Sequence, residues 1–156
     1  PRNHFMVVDF QLPTTEKRLW LMDTSTGEIL AHEWVAHGKN SGPSHQASSF
    51  SNVVGSNKSS LGMYRGLFRS PSKHPPYNLR IQGLEEDFNS NALRRTVVVH
   101  SSKYVGQGRK GRSYGCFSVQ RSAVEQLADN LRFGGLIFAY YPDADYLKNS
   151  EYLNCE

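Results

Sequence analysis

A cysteine thiol attacks only as the thiolate, so a cysteine that does chemistry needs an imidazole or a positive field beside it. Cys116 has sequence neighbours of both kinds. His100 stands sixteen residues before it, at the end of the apolar run Thr96-Val97-Val98-Val99, and Arg109, Lys110 and Arg112 lie between the two. This arrangement predicts a thiol held well below the ordinary cysteine range, with His100 as its base. Gly115, directly before the cysteine, lets the backbone turn sharply and approach a reacting carbonyl closely. The backbone of Ser113-Tyr114-Gly115-Cys116 is then the expected oxyanion pocket of a cysteine acyltransferase, each well-aimed N–H lowering the barrier by roughly 3 kcal/mol. Arg112 adjoins that turn and has the planar donor fork that suits a carboxylate, whereas Arg109, Lys110 and Lys103 read as solvated. Taken singly, a lone cysteine is more often a small buried hydrophobe and a strand-end histidine a satisfied structural group.

The elements that must hold these residues are mostly strands. Runs rich in β-formers at 4–10 and 17–23 are separated by Leu12-Pro13-Thr14-Thr15, and Asp23-Thr24-Ser25-Thr26-Gly27 has hairpin chemistry that returns the chain over 28–36. Further strands are expected at 62–68, 78–82, 95–100 and 135–141, the last two as continuous apolar runs suited to a buried sheet. One helix stands out after the cysteine. Ser122 and Glu125 have capping-box spacing, Val124, Leu127, Ala128 and Leu131 recur at i, i+3, i+4 and i+7, and Gly134 is the expected C-cap. Between 38 and 62 the composition shifts to Ser, Asn and Gly, which predicts a long loop wrapping a site.

Composition narrows the classes further. With 156 residues and 38% hydrophobic side chains, the chain is expected to form one domain over 1–156. No apolar run approaches the ~20 residues of a membrane-spanning helix, so membrane contact is expected only through an anchor upstream of Pro1. A net charge of +4 favours polyanions in general, yet no aromatic-and-basic motif points to nucleic acid. Cys116 and Cys155 cannot make a disulfide framework. Gly106-Gln107-Gly108 lacks the rest of a dinucleotide fingerprint, and His32, His37 and His45 lack zinc spacing, so neither cofactor nor metal is expected. Glu85-Glu86-Asp87 reads as a solvated acidic tip, and Trp20, Trp34, Tyr140 and Tyr141 as core or strand-surface aromatics.

Val98-Val99-His100 followed by Gly111-Arg112-Ser113-Tyr114-Gly115-Cys116 resembles the signature of the L,D-transpeptidase catalytic domain of bacterial cell-wall enzymes. Val8-Asp9-Phe10, Ala36-His37-Gly38-Lys39-Asn40-Ser41-Gly42, Ser49-Phe50-Ser51-Asn52, Ser59-Ser60-Leu61-Gly62 and Tyr141-Pro142-Asp143 resemble one branch of that family, so the likeness covers nearly the whole chain. Familiar members carry His where Tyr114 stands and Arg-containing sequence where Phe117-Ser118-Val119 follows the cysteine. The resemblance implies a mainly β fold, an L,D-transpeptidase-like β-sandwich with one helix following the nucleophile turn. It also implies that Cys116 attacks the bond between diaminopimelate and the terminal D-Ala of a tetrapeptide stem, giving a thioester resolved by an amine. His100 would be the base, the Ser101 carbonyl would orient its ring, and Tyr114 and Gly115 would form the oxyanion turn. Peptidoglycan stem peptides are the implied partners, and a periplasmic or other extracytoplasmic location is the implied site of action. An L,D-carboxypeptidase, which releases D-Ala to water, shares the first half-reaction. A non-catalytic β module binding anionic wall polymer is the alternative from another class.

Overall fold

The computed structural model describes residues 3–106, 112–154 and the backbone of 109–110. Nine strands form one mixed sheet: β1 (His4–Asp9), β2 (Leu19–Asp23), β3 (Ile29–Glu33), β4 (Val35–Ala36), β5 (Gly62–Ser70), β6 (Asn78–Gly83), β7 (Val98–Ser101), β10 (Phe117–Val119) and β11 (Leu136–Tyr140). Among the described residues, a small ribbon, β8 (Val105–Gly106) with β9 (Arg109–Lys110), completes the strands, and the helices are α1 (Arg121–Leu131) and α2 (Ala144–Asn149). The fold is thus mainly β, as expected, with α1 following the Ser113–Cys116 turn across the short strand β10.

Sheet order is β3-β2-β1-β11-β5-β6-β7-β10-β4. Laid flat, its two edges would lie eight strand spacings apart, about 38 Å at 4.8 Å each. Yet β3 ends at Glu33 and β4 begins at Val35, with Trp34 alone between them. A single residue cannot bridge that gap, so the sheet curls until its edges meet. The enclosed core runs from Met6 and Val8 on β1 through Leu19, Leu21, Tyr64, Leu79, Ile81 and Phe117 to the buried face of α1. That face is Ala123, Val124, Leu127, Ala128 and Leu131, which includes every helical position that the periodicity selected.

At the closure sits Arg18, fully buried. It donates from Nε and Nη2 to the Val35 carbonyl at 3.1 and 2.8 Å, from Nη1 to the Leu12 carbonyl at 3.0 Å, and lies over the Phe10 ring. Its Nη2 is also 3.0 Å from His37 Nδ1, while His37 Nε2 is 2.8 Å from the Pro43 carbonyl. Because a guanidinium only donates and a carbonyl only accepts, His37 is the Nε2–H tautomer. Burial first, and the charge of Arg18 next, push the His37 imidazole down to about 4, so it stays neutral.

Four local readings need correction. The strand expected over 95–100 begins only at Val98, because Thr96 is left-handed with φ +57° and its N–H turns back to the Leu93 carbonyl. The capping box does not form: Gln120 is the N-cap with no side-chain bond, and Ser122 lies inside the helix. At the other end Arg132 is the C-cap and Phe133, at φ +61°, takes the left-handed turn one residue before Gly134. Glu85 is no solvated tip; it is buried and accepts from the Met63 amide, the Tyr146 hydroxyl and the Ser150 hydroxyl. That clip holds α2, a helix the periodicity did not reveal and whose N-cap Asp143 accepts from the Tyr146 amide at 3.0 Å.

Candidate functional site

β7 and β10 run side by side in parallel, with His100 opposite Ser118. Neighbours in a pleated pair share a face. Phe117 and Val119 point into the core, so Ser118 and His100 lie on the outward face. The ring of His100 is held at both nitrogens: Nδ1 is 2.6 Å from the Ser101 carbonyl and Nε2 is 3.0 Å from the Ser118 hydroxyl. Since the carbonyl can only accept, the proton sits on Nδ1 and the neutral ring keeps a basic lone pair on Nε2. Burial pushes the His100 imidazole below its ordinary value, the Ser101 carbonyl opposing and His74 adding to the shift. His74 stacks on the ring with centroids 4.6 Å apart. The Ser101 hydroxyl, in turn, donates to the Pro75 carbonyl at 2.6 Å and ties that loop to the strand end.

Cys116 precedes β10. Continued by one residue, the register that pairs Phe117 with Val99 sets Cys116 beside Val98, two residues and about 6.6 Å along the strand from His100. Its Sγ donates to the carbonyl of the left-handed Thr96 at 3.5 Å. The expected thiolate is therefore not what the resting site holds. Burial pushes the Cys116 thiol up, opposed by the Val98 backbone and by the charge of Arg95. His100 spends its lone pair on Ser118, and the thiol points the other way along the strand.

The turn before the cysteine is tied internally. Ser113 Oγ donates to the Cys116 carbonyl at 2.8 Å and accepts from the Gly115 amide at 3.1 Å, so the Gly115 N–H expected in the oxyanion pocket is engaged within the turn. Gly115 has φ +117°, and a Cβ there would lie 2.7 Å from the Lys58 carbonyl and 2.9 Å from Arg95 Nη2. Only glycine lets the turn lie this close to its floor. The 38–62 segment does reach the site: Gly38 bridges to Ser113, and the Ser113 amide donates to the His37 carbonyl at 2.9 Å. Tyr114 is 72% exposed with Lys39 Nζ over its ring, so its side chain projects outward from the turn. Arg112 is exposed and donates to the carbonyls of Lys39 and Gly42 at 3.1 and 3.4 Å, stitching the turn to the long loop. The side chains of Arg109 and Lys110, and Gln107, Gly108 and Cys155, lie outside the described residues.

Three neighbours of the site escaped the sequence reading: Arg95 beneath the turn, Ser118 on the His100 ring nitrogen and His74 stacked against that ring. Only the register of β7 with β10 could have drawn Ser118 in. Beyond His100 opens a cavity of about 960 Å³, lined among others by Lys73, His74, Lys103, Tyr104 and Arg121 and, among the described residues, by no carboxylate. No group of three or more potential metal ligands occurs among the described residues.

Cys116, directly before β10, and the ring-locked His100, on the neighbouring parallel strand β7, thus share one face of the curled sheet, and residues 1–140 match the L,D-transpeptidase catalytic domain. The chain belongs to that family. Similar solved structures include an L,D-transpeptidase from Mycobacterium tuberculosis H37Rv, 14% identical over 89% of this chain and 58% of that one, TM-score 0.57. Another, from Mycobacterium smegmatis, is 14% identical over 89% of this chain and 59% of its own, TM-score 0.53. A third, from Stackebrandtia nassauensis, is 14% identical over 90% of this chain and 56% of its own, TM-score 0.51. These likenesses concern the fold, and the chain spans somewhat over half the length of each. No curated protein matches it.

Proposed function

We propose that this domain is a peptidoglycan L,D-transpeptidase working through an acyl-cysteine, outside the cytoplasmic membrane. The observation that carries the reading is the base: Nδ1–H is fixed by the Ser101 carbonyl, which leaves a basic Nε2 on the strand face that Cys116 shares. In the proposed cycle the thiol swings from the Thr96 carbonyl into the place of the Ser118 hydroxyl and gives its proton to Nε2. Sγ bonds to the carbonyl carbon of diaminopimelate, and the Tyr114 and Cys116 amides receive the oxyanion. Collapse breaks the C–N bond to D-Ala, whose nitrogen takes the proton from His100 and leaves a thioester. An acceptor amine then attacks, Nε2 takes its proton, and the second collapse returns the proton to the departing sulfur.

Because thiol and imidazole both start neutral, His100 acts as a general base during attack rather than as half of a standing ion pair. The basic cavity next to His100 favours transfer over hydrolysis, since it offers a second anionic stem a place beside the thioester. Digestion of purified tetrapeptide muropeptides, with products identified by mass, tests this. Cross-linked or exchanged products that disappear in Cys116→Ala are expected. Tripeptide alone at every acceptor concentration makes the protein a carboxypeptidase, and unchanged products in Cys116→Ala remove the acyl-enzyme altogether.

A further inference from the structure

Resting on the reading just given, we propose that Arg95 is a positioning residue for the nucleophile: its guanidinium fastens the 51–60 loop beneath the Gly115-Cys116 turn and supplies the fixed positive charge beside the thiol. Four hydrogen bonds hold it. Nη1 donates to the Ser51 carbonyl at 3.0 Å and the Ser60 hydroxyl at 2.6 Å, and Nη2 donates to the Ser56 hydroxyl at 3.2 Å and the Lys58 carbonyl at 2.6 Å. The same Nη2 and the same Lys58 carbonyl form the floor on which Gly115 lies. A change at Arg95 therefore moves the surface against which the oxyanion turn is shaped.

Every one of those acceptors is neutral, so the bonds orient the cation without cancelling it. Among the described residues, the titratable groups that face it are Tyr64 and Cys116. Tyr64 is fully buried with its hydroxyl on the Ser60 carbonyl, and burial drives its pKa far upward, so it remains a neutral phenol. Cys116 is the group left to become the anion. A half-buried guanidinium with no carboxylate among its bonds is costly to keep, and an anion that forms during turnover is its natural partner. Backbone geometry joins the two: Arg95 leads directly into left-handed Thr96, whose carbonyl takes the thiol hydrogen. His100, engaged with Ser118, does not provide this field at rest.

A staple without an electrostatic role would leave the thiol's titration untouched, so the test reads titration. Iodoacetamide alkylation is followed against pH at the Cys116-containing peptide by mass spectrometry, which separates it from Cys155. Arg95→Gln is expected to slow Cys116 alkylation at pH 7.5 about tenfold, the profile moving about one unit upward. Arg95→Lys, which keeps the charge but not the fork, is expected to hold the wild-type profile within about twofold while turnover on muropeptides falls about tenfold or more. An unchanged profile in a natively folded Arg95→Gln overturns the proposal, as does an Arg95→Lys profile as displaced as that of Arg95→Gln. If Arg95→Gln does not fold by circular dichroism, Arg95→Lys decides alone, an upward-displaced profile overturning the proposal. Muropeptide digestion by Cys116→Ala, run in parallel, bears on the transpeptidase reading separately, because the alkylation comparison needs no turnover.

Discussion

Arg18 and Arg95 bond alike and face differently. Each spreads its guanidinium over neutral acceptors, carbonyls and an imidazole for Arg18, carbonyls and hydroxyls for Arg95. Arg18 is sealed inside the closure of the sheet, where burial pulls it down to about 10 and the charge of Asp9 partly restores it. Arg95 stands half-buried beneath the Gly115-Cys116 turn. A cation enclosed by fixed dipoles organises a fold, whereas the same cation at the edge of a reacting group organises chemistry. The scaffold half of the molecule should accordingly lose stability when altered, and the site half should lose turnover.

The largest effect expected is on the site half. His100→Ala should lower turnover on tetrapeptide muropeptides by about 10²–10⁴-fold with a native circular-dichroism spectrum. Unfolding of that variant would move His100 to the scaffold side and break the division. For wild type, turnover should fall on the acid side only below the ordinary histidine range, since burial lowers the His100 imidazole and only its neutral form takes a proton. A pH-rate profile with its acid limb above that range would contradict the site geometry.

Arg18→Met should do the reverse. It strands the Val35 and Leu12 carbonyls and His37 Nδ1, at roughly 1–3 kcal/mol for each buried group left unpaired, so urea unfolding should report a loss of about 3 kcal/mol or more. Turnover per folded molecule should stay within about twofold. A natively stable Arg18→Met with lost turnover would erase the contrast between the two arginines.

Acid should also strike the scaffold first. The His37 imidazole lies at about 4 in the folded protein against about 6.5 in an unfolded chain. Below 6.5 the unfolded chain takes up the proton first, so this contribution is complete above 6.5 and lost as pH falls towards 4. At most roughly 3 kcal/mol is at stake. Arg18, Arg112 and His45 surround the ring and oppose its charging, with the Pro43 carbonyl alone favouring it. Urea titrations at pH 7, 5.5 and 4 should show the decline, and His37→Gln should flatten it.

Smallest is Ser118→Ala. With the hydroxyl merely occupying Nε2 until the thiol displaces it, turnover should change by less than about tenfold. A loss on the scale of His100→Ala would instead make that hydroxyl an obligatory proton carrier.

Periodicity and local chemistry alone determined most strands of the main sheet and the buried face of α1, though neither the β8–β9 ribbon nor α2, since alternation and the i, i+3, i+4 spacing are properties of the chain itself. They also placed the proposed nucleophile Cys116, the proposed base His100 and the Gly115 turn in one neighbourhood, close enough along the chain to be read together. The stranding of Thr96 in a left-handed turn, the burial of Glu85 and the pairing of His100 with Ser118 were not legible in this way. Each depends on a partner remote in sequence or on the register of two strands. Protonation followed the same division. The sequence placed cations near Cys116, but only the assembled sheet settled how deeply the thiol is buried, which way it points and which cation faces it. Desolvation and Coulomb attraction depend on three-dimensional distance, so a thiol that its neighbours in sequence would ionise is held neutral by its burial.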